Sequence, residues 1–381
     1  MTTQTGVRST ACLFVFFLLA NVLPAAQFAG GTGMPGDPYQ IGTVEQLCSI
    51  GSDPDLLAKH FVLIADIDLD PNLPGRVVFV RAVIAGDTDD AFGFQGTPFT
   101  GYFDGNSHRI KNLTIESTAG HYVGLFGCIG DGGSVEDLVL ENVSITGAHY
   151  KVGGLAGSSG GGIRGCHVRG NIRVGTRPSI ESLGGLVGLN AGRILWSSAY
   201  TDVWGDSKGG SLGGFAGTNL GGRIASCHAA VSLTGSDYLG GFVGNNVEGV
   251  ITDCYAQGTI LTHYSPYSGG LVGHNRGGVI VNCYAATVLW TGSESEDWGG
   301  LIGVGSPRFY TGGRVVGDAV GNSFWDTEVS GVSVSDGGEG LLTSQMYQKK
   351  TFVGWDFEST WTICEGKDYP RLQWEGIDCN E

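Results

Sequence analysis

Residues Leu239–Ile260 read LGGFVGNNVEGVITDCYAQGTI, and near-copies of this stretch lie on both sides of it. The copies of its first half are YVGLFG ending at Gly127, VGGLAG at Gly157, LGGLVG at Gly188, LGGFAG at Gly217, LGGFVG at Gly244, SGGLVG at Gly273 and WGGLIG at Gly303. Successive endings lie 30, 31, 29, 27, 29 and 30 residues apart. A second motif follows each box, an apolar or small residue at i and another at i+3: Val135/Leu138, Ile163/Cys166, Ile194/Ser197, Ile224/Cys227, Ile251/Cys254, Ile280/Cys283 and Val320/Ser323. Ile110/Leu113 is an earlier copy without the glycine box. A fixed period of this length marks a stacked repeat architecture.

Within a unit the residues are β-branched, aromatic or glycine, with no apolar stripe at helical spacing, so each unit consists of short strands. Side chains alternate along a strand, so two inward residues three apart require a bend between them. Asn112, Asp137, Gly165, Ser226, Asp253, Asn282 and Asn322 stand just before the second position. These types accept left-handed or tight-turn dihedrals; Trp196 is the exception. A unit of strands and bends that can bury its apolar residues only against its neighbours is one coil of a parallel β-solenoid. The second glycines of the boxes, Gly154, Gly185, Gly214, Gly241, Gly270 and Gly300, are expected where the backbone bends sharply or packs too closely for a Cβ. Phe242, Val250 and Ile251 should fill the core, and Asn245 or Asp253 should make a corner.

The whole chain agrees with an array. Glycine accounts for 68 of 381 residues without a Gly-X-Y period, and proline for only 11, which excludes collagen and Pro-rich linker. Charged residues make up 15% and the formal net charge is −16, with Lys and Arg scattered singly. That pattern argues against nucleic-acid binding. The glycine boxes lack the Gly-Lys-Ser/Thr element of a phosphate loop. Arg8, the apolar run Ala11–Ala20 and small residues near Ala26 predict a secretory signal peptide over 1–26, since ten apolar residues are too few to span a bilayer. No later segment is expected to cross a membrane. The expected organisation is then an N-terminal cap with the first coil over 27–120, the array over 121–305, and the last coil with a C-terminal cap over 306–381.

The boxes GLFG, GLAG, GLVG and GLIG, two further copies with Phe for Leu, and the flanking PYQIGTVEQLCSI, FVLIADIDLD, GYFDGNSHRIKNLTI, NSFWDTEVSG and DYPRLQW resemble the GLUG-repeat family of secreted and surface bacterial proteins. The resemblance covers Tyr122 to Trp325 most strongly. It implies a right-handed β-solenoid, which the repeat count puts at eight or nine coils, and a role in adhesins or larger exported proteins. It implies no catalytic residue and no cofactor.

The patterns in the chain that resemble catalytic or metal sites are incomplete. A glycosidase needs two facing carboxylates, whereas the corner column offers Asp253 beside Asn282 and Ser226. His108–Lys111, HRIK, matches a fragment of a polygalacturonase signature whose companion motifs are missing. Asp66, Asp68 and Asp70 alternate as in a calcium loop, but Ile67 and Leu69 fit a half-buried strand and Val77 stands where an EF-hand needs glutamate. His167 and His228 lie two coils apart, too far for one metal, and are expected as exposed strand residues. Insertions fall on one edge, after the second motif. There Tyr238, Tyr264, Tyr267, Trp290 and Trp298 could form an aromatic ledge for an extracellular glycan or protein. Cys227, Cys254 and Cys283 occupy one position in consecutive coils about 4.8 Å apart. Parallel side chains then hold the Cβ atoms beyond the usual reach of a relaxed bridge. These three and Cys166 are expected as buried thiols, with Cys364 and Cys379 the expected disulfide. The reading is an exported, monomeric, non-enzymatic solenoid for adhesion or scaffolding. A carbohydrate-active enzyme or a non-catalytic carbohydrate-binding module is the competing reading.

Overall fold

The computed structural model describes residues 27–89, 93–117, 121–147, 150–175, 182–205, 210–291, 298–305, 309–311, 314–316 and 319–380. The expected signal peptide lies outside the described residues. From Phe126 onward the chain winds as a three-faced parallel solenoid. In the coil of the opening quotation, Val243–Val247 runs along the first face, Val250–Thr252 along the second, and Tyr255–Gly269 along the third. We call these the box face, the short-strand face and the long-strand face.

Pairing is in register from coil to coil. Val250, Ile251 and Thr252 lie opposite Val279, Ile280 and Val281, and the pairing is parallel. Antiparallel ladders among the described residues are confined to Phe309–Thr311 with Arg314–Val316 and to Trp361–Thr362 with Arg371–Leu372. Seven strands of the box face bound six complete turns, from Phe126–Ile129 to Ile302–Gly305. The array is therefore shorter than the eight or nine coils expected. The difference lies before Tyr122, where no glycine box turns the chain. Tyr39–Ile41, His60–Leu63 and Tyr102–Asp104 add rungs to the short-strand face, while Ile84 and Phe99 reach the box face only through single bridges to Phe126 and Ile129.

The i and i+3 pattern works as a corner. Between the two inward positions, Asn112, Asp137, Gly165, Trp196, Ser226, Asp253, Asn282 and Asn322 all have φ between +44° and +60°. A left-handed residue there turns the chain so that both neighbours face inward. Ile251 and Cys254 on either side of Asp253 are fully buried, as are Ile280 and Cys283 beside Asn282. The residue after the paired glycines completes the core. Leu125, Leu155, Leu186, Phe215, Phe242, Leu271 and Leu301 form a buried column, in which the Phe215 and Phe242 rings stack at 4.6 Å. Burying one such side chain stabilises by about 1.5–3 kcal/mol.

The paired glycines answer to contact, not to dihedral freedom. Gly241 lies outside the left-handed region, and a Cβ on it would meet the Gly270 carbonyl oxygen at 2.2 Å. Gly185, Gly214 and Gly270 stand in the same relation to the next coil, at 2.2 to 2.3 Å. At the ends of the column, Gly154 faces Val168 and Gly300 faces the Trp325 ring.

The N-terminal end is closed by the helix Val44–Ser52. Its Thr43 hydroxyl accepts from the Gln46 backbone N–H while the Gln46 side chain accepts from the Thr43 N–H, a reciprocal capping box. Val44, Leu47 and Ile50 turn into the core. At the other end residues 342–380 fold back along the outside of the long-strand face, which positions the site described next.

Candidate functional site

The residue after each Cys or Ser corner points outward on the long-strand face. In register these are His167, Ser198, His228, Tyr255, Tyr284 and Phe324. Their rings stack: His228 on Tyr255 at 4.7 Å and 6°, and Tyr255 on Tyr284 at 4.9 Å and 4°. The C-terminal segment covers this column. Trp374 lies against both His167 and His228, and its Nε1 donates to the Ser226 carbonyl at 2.9 Å. Trp361 and Trp355 pack on Tyr255 and Tyr284. The Tyr284 hydroxyl donates to the Pro370 carbonyl at 2.8 Å. His228 is thus 2% exposed and His167 half-buried. The expectation of exposed strand histidines is corrected: a distant segment supplies the cover.

Under the strap a polar cluster assembles from residues 147 positions apart. The Tyr255 hydroxyl donates to Glu375 at 2.8 Å, Arg371 reaches the Tyr255 oxygen at 3.1 Å and Gln257 at 2.7 Å, and the Leu372 N–H donates to Glu375 at 2.7 Å. His228 Nε2 is 3.7 Å from Glu375. Burial, with Arg371 nearby, pushes the His228 pKa down to about 3. At neutral pH the ring is therefore neutral, and the contact is not an ion pair. Burial raises the Glu375 pKa despite the donors around it. The cluster joins acid, imidazole, phenol and guanidinium, but His228 and Glu375 expose only 2% and 8% of their side chains. Its first effect is to latch the strap.

The latch carries a pH dependence. His228 has a folded pKa below its ordinary 6.5, so the unfolded chain takes up the proton first and stability falls as pH drops from about 6.5 towards 3. The slope is roughly 1.4 kcal/mol per pH unit. Glu375, raised above its ordinary 4.5, opposes this in the narrower interval between 4.5 and its raised value. Acid is expected to loosen residues 371–376 before the coils, seen as lower amide protection, measured against the intrinsic exchange rate at each pH, in that segment at pH 5 than at pH 7. His228→Phe, which keeps the stack, should flatten the difference; an unchanged pH response in that variant would show that another group governs the strap.

The aromatic ledge is rearranged. Tyr238 and Tyr267 stack on each other at 5.1 Å and on His274 at 5.2 and 6.2 Å. The Tyr264 side chain lies outside the described residues. Trp298 is half-buried and in register with Ser268 and the buried Leu239 and Leu212, an inward column. Trp290 stays outside, 64% exposed. It ends an outward row of Arg173, Trp204, Thr234, Leu261 and Trp290, consecutive across the long strands. Trp204 and Leu261 in that row are exposed, as is Tyr200 beside Trp204 on the same strand. The sequence reading missed Trp204 and Leu261. Their signal is the register, four residues C-terminal to Tyr200 and to Gln257, which lie on either side of Ala230 in one outward column.

The acidic stretch is engaged by its neighbours. Asp66 pairs with Lys111 at 2.9 Å and accepts from the Arg109 N–H at 3.0 Å, and His108 lies 3.4 Å away. Asp68 accepts from Asn112 at 2.7 Å and from the Asp70 N–H at 2.9 Å. The Lys111 and Asn112 contacts hold both carboxyls below the usual carboxylate range. Ile67 and Leu69 are buried, so HRIK and DIDLD tie two rungs together.

Cys166, Cys227, Cys254 and Cys283 are buried and unbridged, while Cys364 and Cys379 are joined. The Cys227, Cys254 and Cys283 thiols donate to the Ala225, Thr252 and Val281 carbonyls at 3.1 to 3.2 Å. Burial pushes the Cys166 thiol up to about 12. Thiol titration in denaturant without reductant is expected to find at least four free groups; a peptide linking Cys254 to Cys227 or Cys283 would refute the inward ladder.

The geometry defines a parallel β-solenoid whose coils turn on paired-glycine boxes, with an outward aromatic row and a strapped flank. The GLUG motif model matches residues 235–261, one coil of this array, and the other boxes repeat it in register. The chain therefore carries the GLUG motif. Over 166 residues it is 32% identical to halomucin of Haloquadratum walsbyi, covering 42% of this chain and 2% of that protein. Over 160 residues it is 33% identical to a "Putative Gly-rich membrane protein" of Evansella cellulosilytica, covering 39% of this chain and 17% of that one. The chain thus matches a small part of the length of these relatives. A crystal structure of a "putative immunoglobulin A1 protease" from Bacteroides ovatus superposes with a TM-score of 0.54 at 20% identity, covering 91% of this chain and 96% of that one. That likeness shows the fold.

Proposed function

We propose that the chain is an exported, non-enzymatic solenoid for adhesion or scaffolding at a cell surface or in the extracellular space, and that it meets a glycan or protein partner through the aromatic row. The observation that carries this reading is the exposure of Trp204, Leu261 and Trp290 in one row of the long-strand face. Exposed aromatic rows suit sugar rings and partner side chains alike, because they bury large areas at small conformational cost. The apolar run Ala11–Ala20 supports export. One relative's name places that protein at a membrane, and no helix among the described residues is long and apolar enough to cross one.

Trp290→Ala and Trp204→Ala should each weaken binding on a glycan array or to an extracellular matrix at least tenfold, with melting temperature nearly unchanged. Unaltered binding by both variants would end the reading. The competing reading is a polysaccharide lyase or hydrolase, and the gathering of His228, Tyr255, Arg371 and Glu375 is what favours it; the name of the solved neighbour suggests a protease instead. Incubation with pectin, alginate, xylan or immunoglobulin A1 is expected to release no product. Turnover that Glu375→Gln abolishes would replace the adhesion reading with an enzymatic one.

A further inference from the structure

The short-strand face carries a charged feature independent of the aromatic row. One outward column of that face reads Ser134, Gly162, Arg193, Arg223, Val250 and Val279. Arg193 and Arg223 are therefore direct neighbours, about 4.8 Å apart along the ladder, and both are exposed. Among the described residues neither has an acidic partner within ion-pair distance. Asp253, whose carboxyl senses Arg223, is instead held by Asn282 at 3.2 Å and by the Trp361 Nε1 at 3.3 Å. Like charges placed opposite each other weaken a sheet, and this pair stands in a chain of net charge −16.

A second, separate observation lies beside the pair. Trp196, three residues after Arg193, holds the left-handed corner at φ +50°. The same corner in the other coils is Asn, Asp, Ser or Gly. A bulky residue at positive φ is an outlier, and retained backbone strain gathers at functional sites. Trp196 is 40% exposed as a residue, and the Arg164 guanidinium sits over its ring at 4.5 Å. Arg164 is 3.6 Å from Glu136, which leaves Arg193 and Arg223 as the arginines of this patch without an ion-pair partner among the described residues.

We propose that Arg193, Arg223 and Trp196, backed by Arg164, form a binding site for an acidic polysaccharide, one bearing sulfate esters or carboxylates. Two guanidiniums one rung apart can grip a single anion through parallel N–H bonds, and the exposed part of the Trp196 indole, three residues along the chain from Arg193, offers apolar surface to the sugar ring. A nucleic acid is a poor occupant. Its affinity rests on many phosphate contacts along a basic stripe, and here only two adjacent arginines stand in a chain of net charge −16.

The test is binding of the full chain to dextran sulfate, polygalacturonate and neutral dextran at low and high salt. The expected result is salt-sensitive binding to one or both polyanions and none to dextran. Retention of dextran sulfate alone assigns sulfate esters, and of polygalacturonate alone assigns carboxylates. The double variant Arg193→Gln/Arg223→Gln should lose at least tenfold in affinity while its melting temperature holds or rises. Trp196→Asn should raise the melting temperature and weaken polyanion binding several-fold, while Trp290→Ala leaves it unchanged. Wild-type chain that binds neither polyanion, a double variant that binds as well as wild type, or equal binding to neutral dextran would overturn the proposal. Loss of binding in Trp290→Ala alone would assign the polyanion to the aromatic row instead.

Discussion

Replacing Gly241 with valine is expected to lower stability by at least about 4 kcal/mol, the range reserved for overpacking and backbone displacement in a core. The added Cβ would lie 2.2 Å from the Gly270 carbonyl oxygen and 3.2 Å from Ala256 Cβ and Thr287 Oγ1. The struck oxygen cannot retreat freely, because it accepts the Thr287 hydroxyl at 2.9 Å, and Gly241 is itself held by its N–H donating to the Gly269 carbonyl at 3.2 Å. Nor can the strain stop at one coil. A Cβ on Gly214 would meet the Gly241 oxygen and one on Gly270 the Gly300 oxygen, so the glycine column is a continuous line of backbone contacts. Alanine at 241 should also be costly, which separates the contact from any question of dihedral freedom. Exposed Ser232→Ala on the same array should shift stability by no more than about 0.5 kcal/mol. Thermal and urea unfolding of the three variants decide the matter. Gly241→Val melting within a degree or two of Ser232→Ala would show that the paired glycines are not packing positions.

Replacing Asn246 with leucine is expected to cost roughly 2–4 kcal/mol, although the position is fully buried and leucine is the more apolar residue. Asn190, Asn219, Asn246 and Asn275 form an internal ladder on the inner side of the box face, each with no solvent exposure. Each Nδ2 donates to the next Oδ1 at 2.8 Å, from Asn190 to Asn219, to Asn246, to Asn275. The same amide groups hold the following turn, with Asn246 Nδ2 reaching the Gly249 carbonyl at 3.2 Å. Leucine would leave Asn275 Oδ1 without its donor and the Gly249 carbonyl with one bond fewer, and a buried polar group stripped of its partner costs more than the bond contributes. The adjacent Asn245 is a matched control. It points away from the core, its Oδ1 has no hydrogen-bond partner among the described residues, and Asn245→Ala should cost under about 1 kcal/mol. Equal losses at 245 and 246 would show that the ladder contributes no stability of its own.

The repeat architecture was readable in the chain because each coil is a local object. Box glycines, the i and i+3 core pair and the left-handed corner between them lie within about fifteen residues, and a period near 29 announces the stacking. Even Trp196, the apparent misfit at the corner, obeys the pattern with φ +50°. The asparagine ladder was also present in the sequence, as Asn two residues after the box glycine in four consecutive coils, Gly188/Asn190, Gly217/Asn219, Gly244/Asn246 and Gly273/Asn275. The sequence reading offered Asn245 or Asp253 as the corner; Asp253 holds it at φ +52°, and Asn245 stands one residue before the ladder. A single asparagine reads as a turn residue until its neighbours are aligned. The number of full turns and the nature of the outer surface had no such local signal. Six turns, not eight or nine, follow from which N-terminal strands find a partner on every face. Whether an outward ring is wet or covered depends on where residues 342–380 travel after the last coil, and that path is set by Trp374 meeting His167 and His228 across more than 140 positions. Period and alternation determine which residues face in, because they are properties of neighbouring peptide units. Only the tertiary structure decides what lies against the residues that face out, because that contact is made between segments with no shared periodicity.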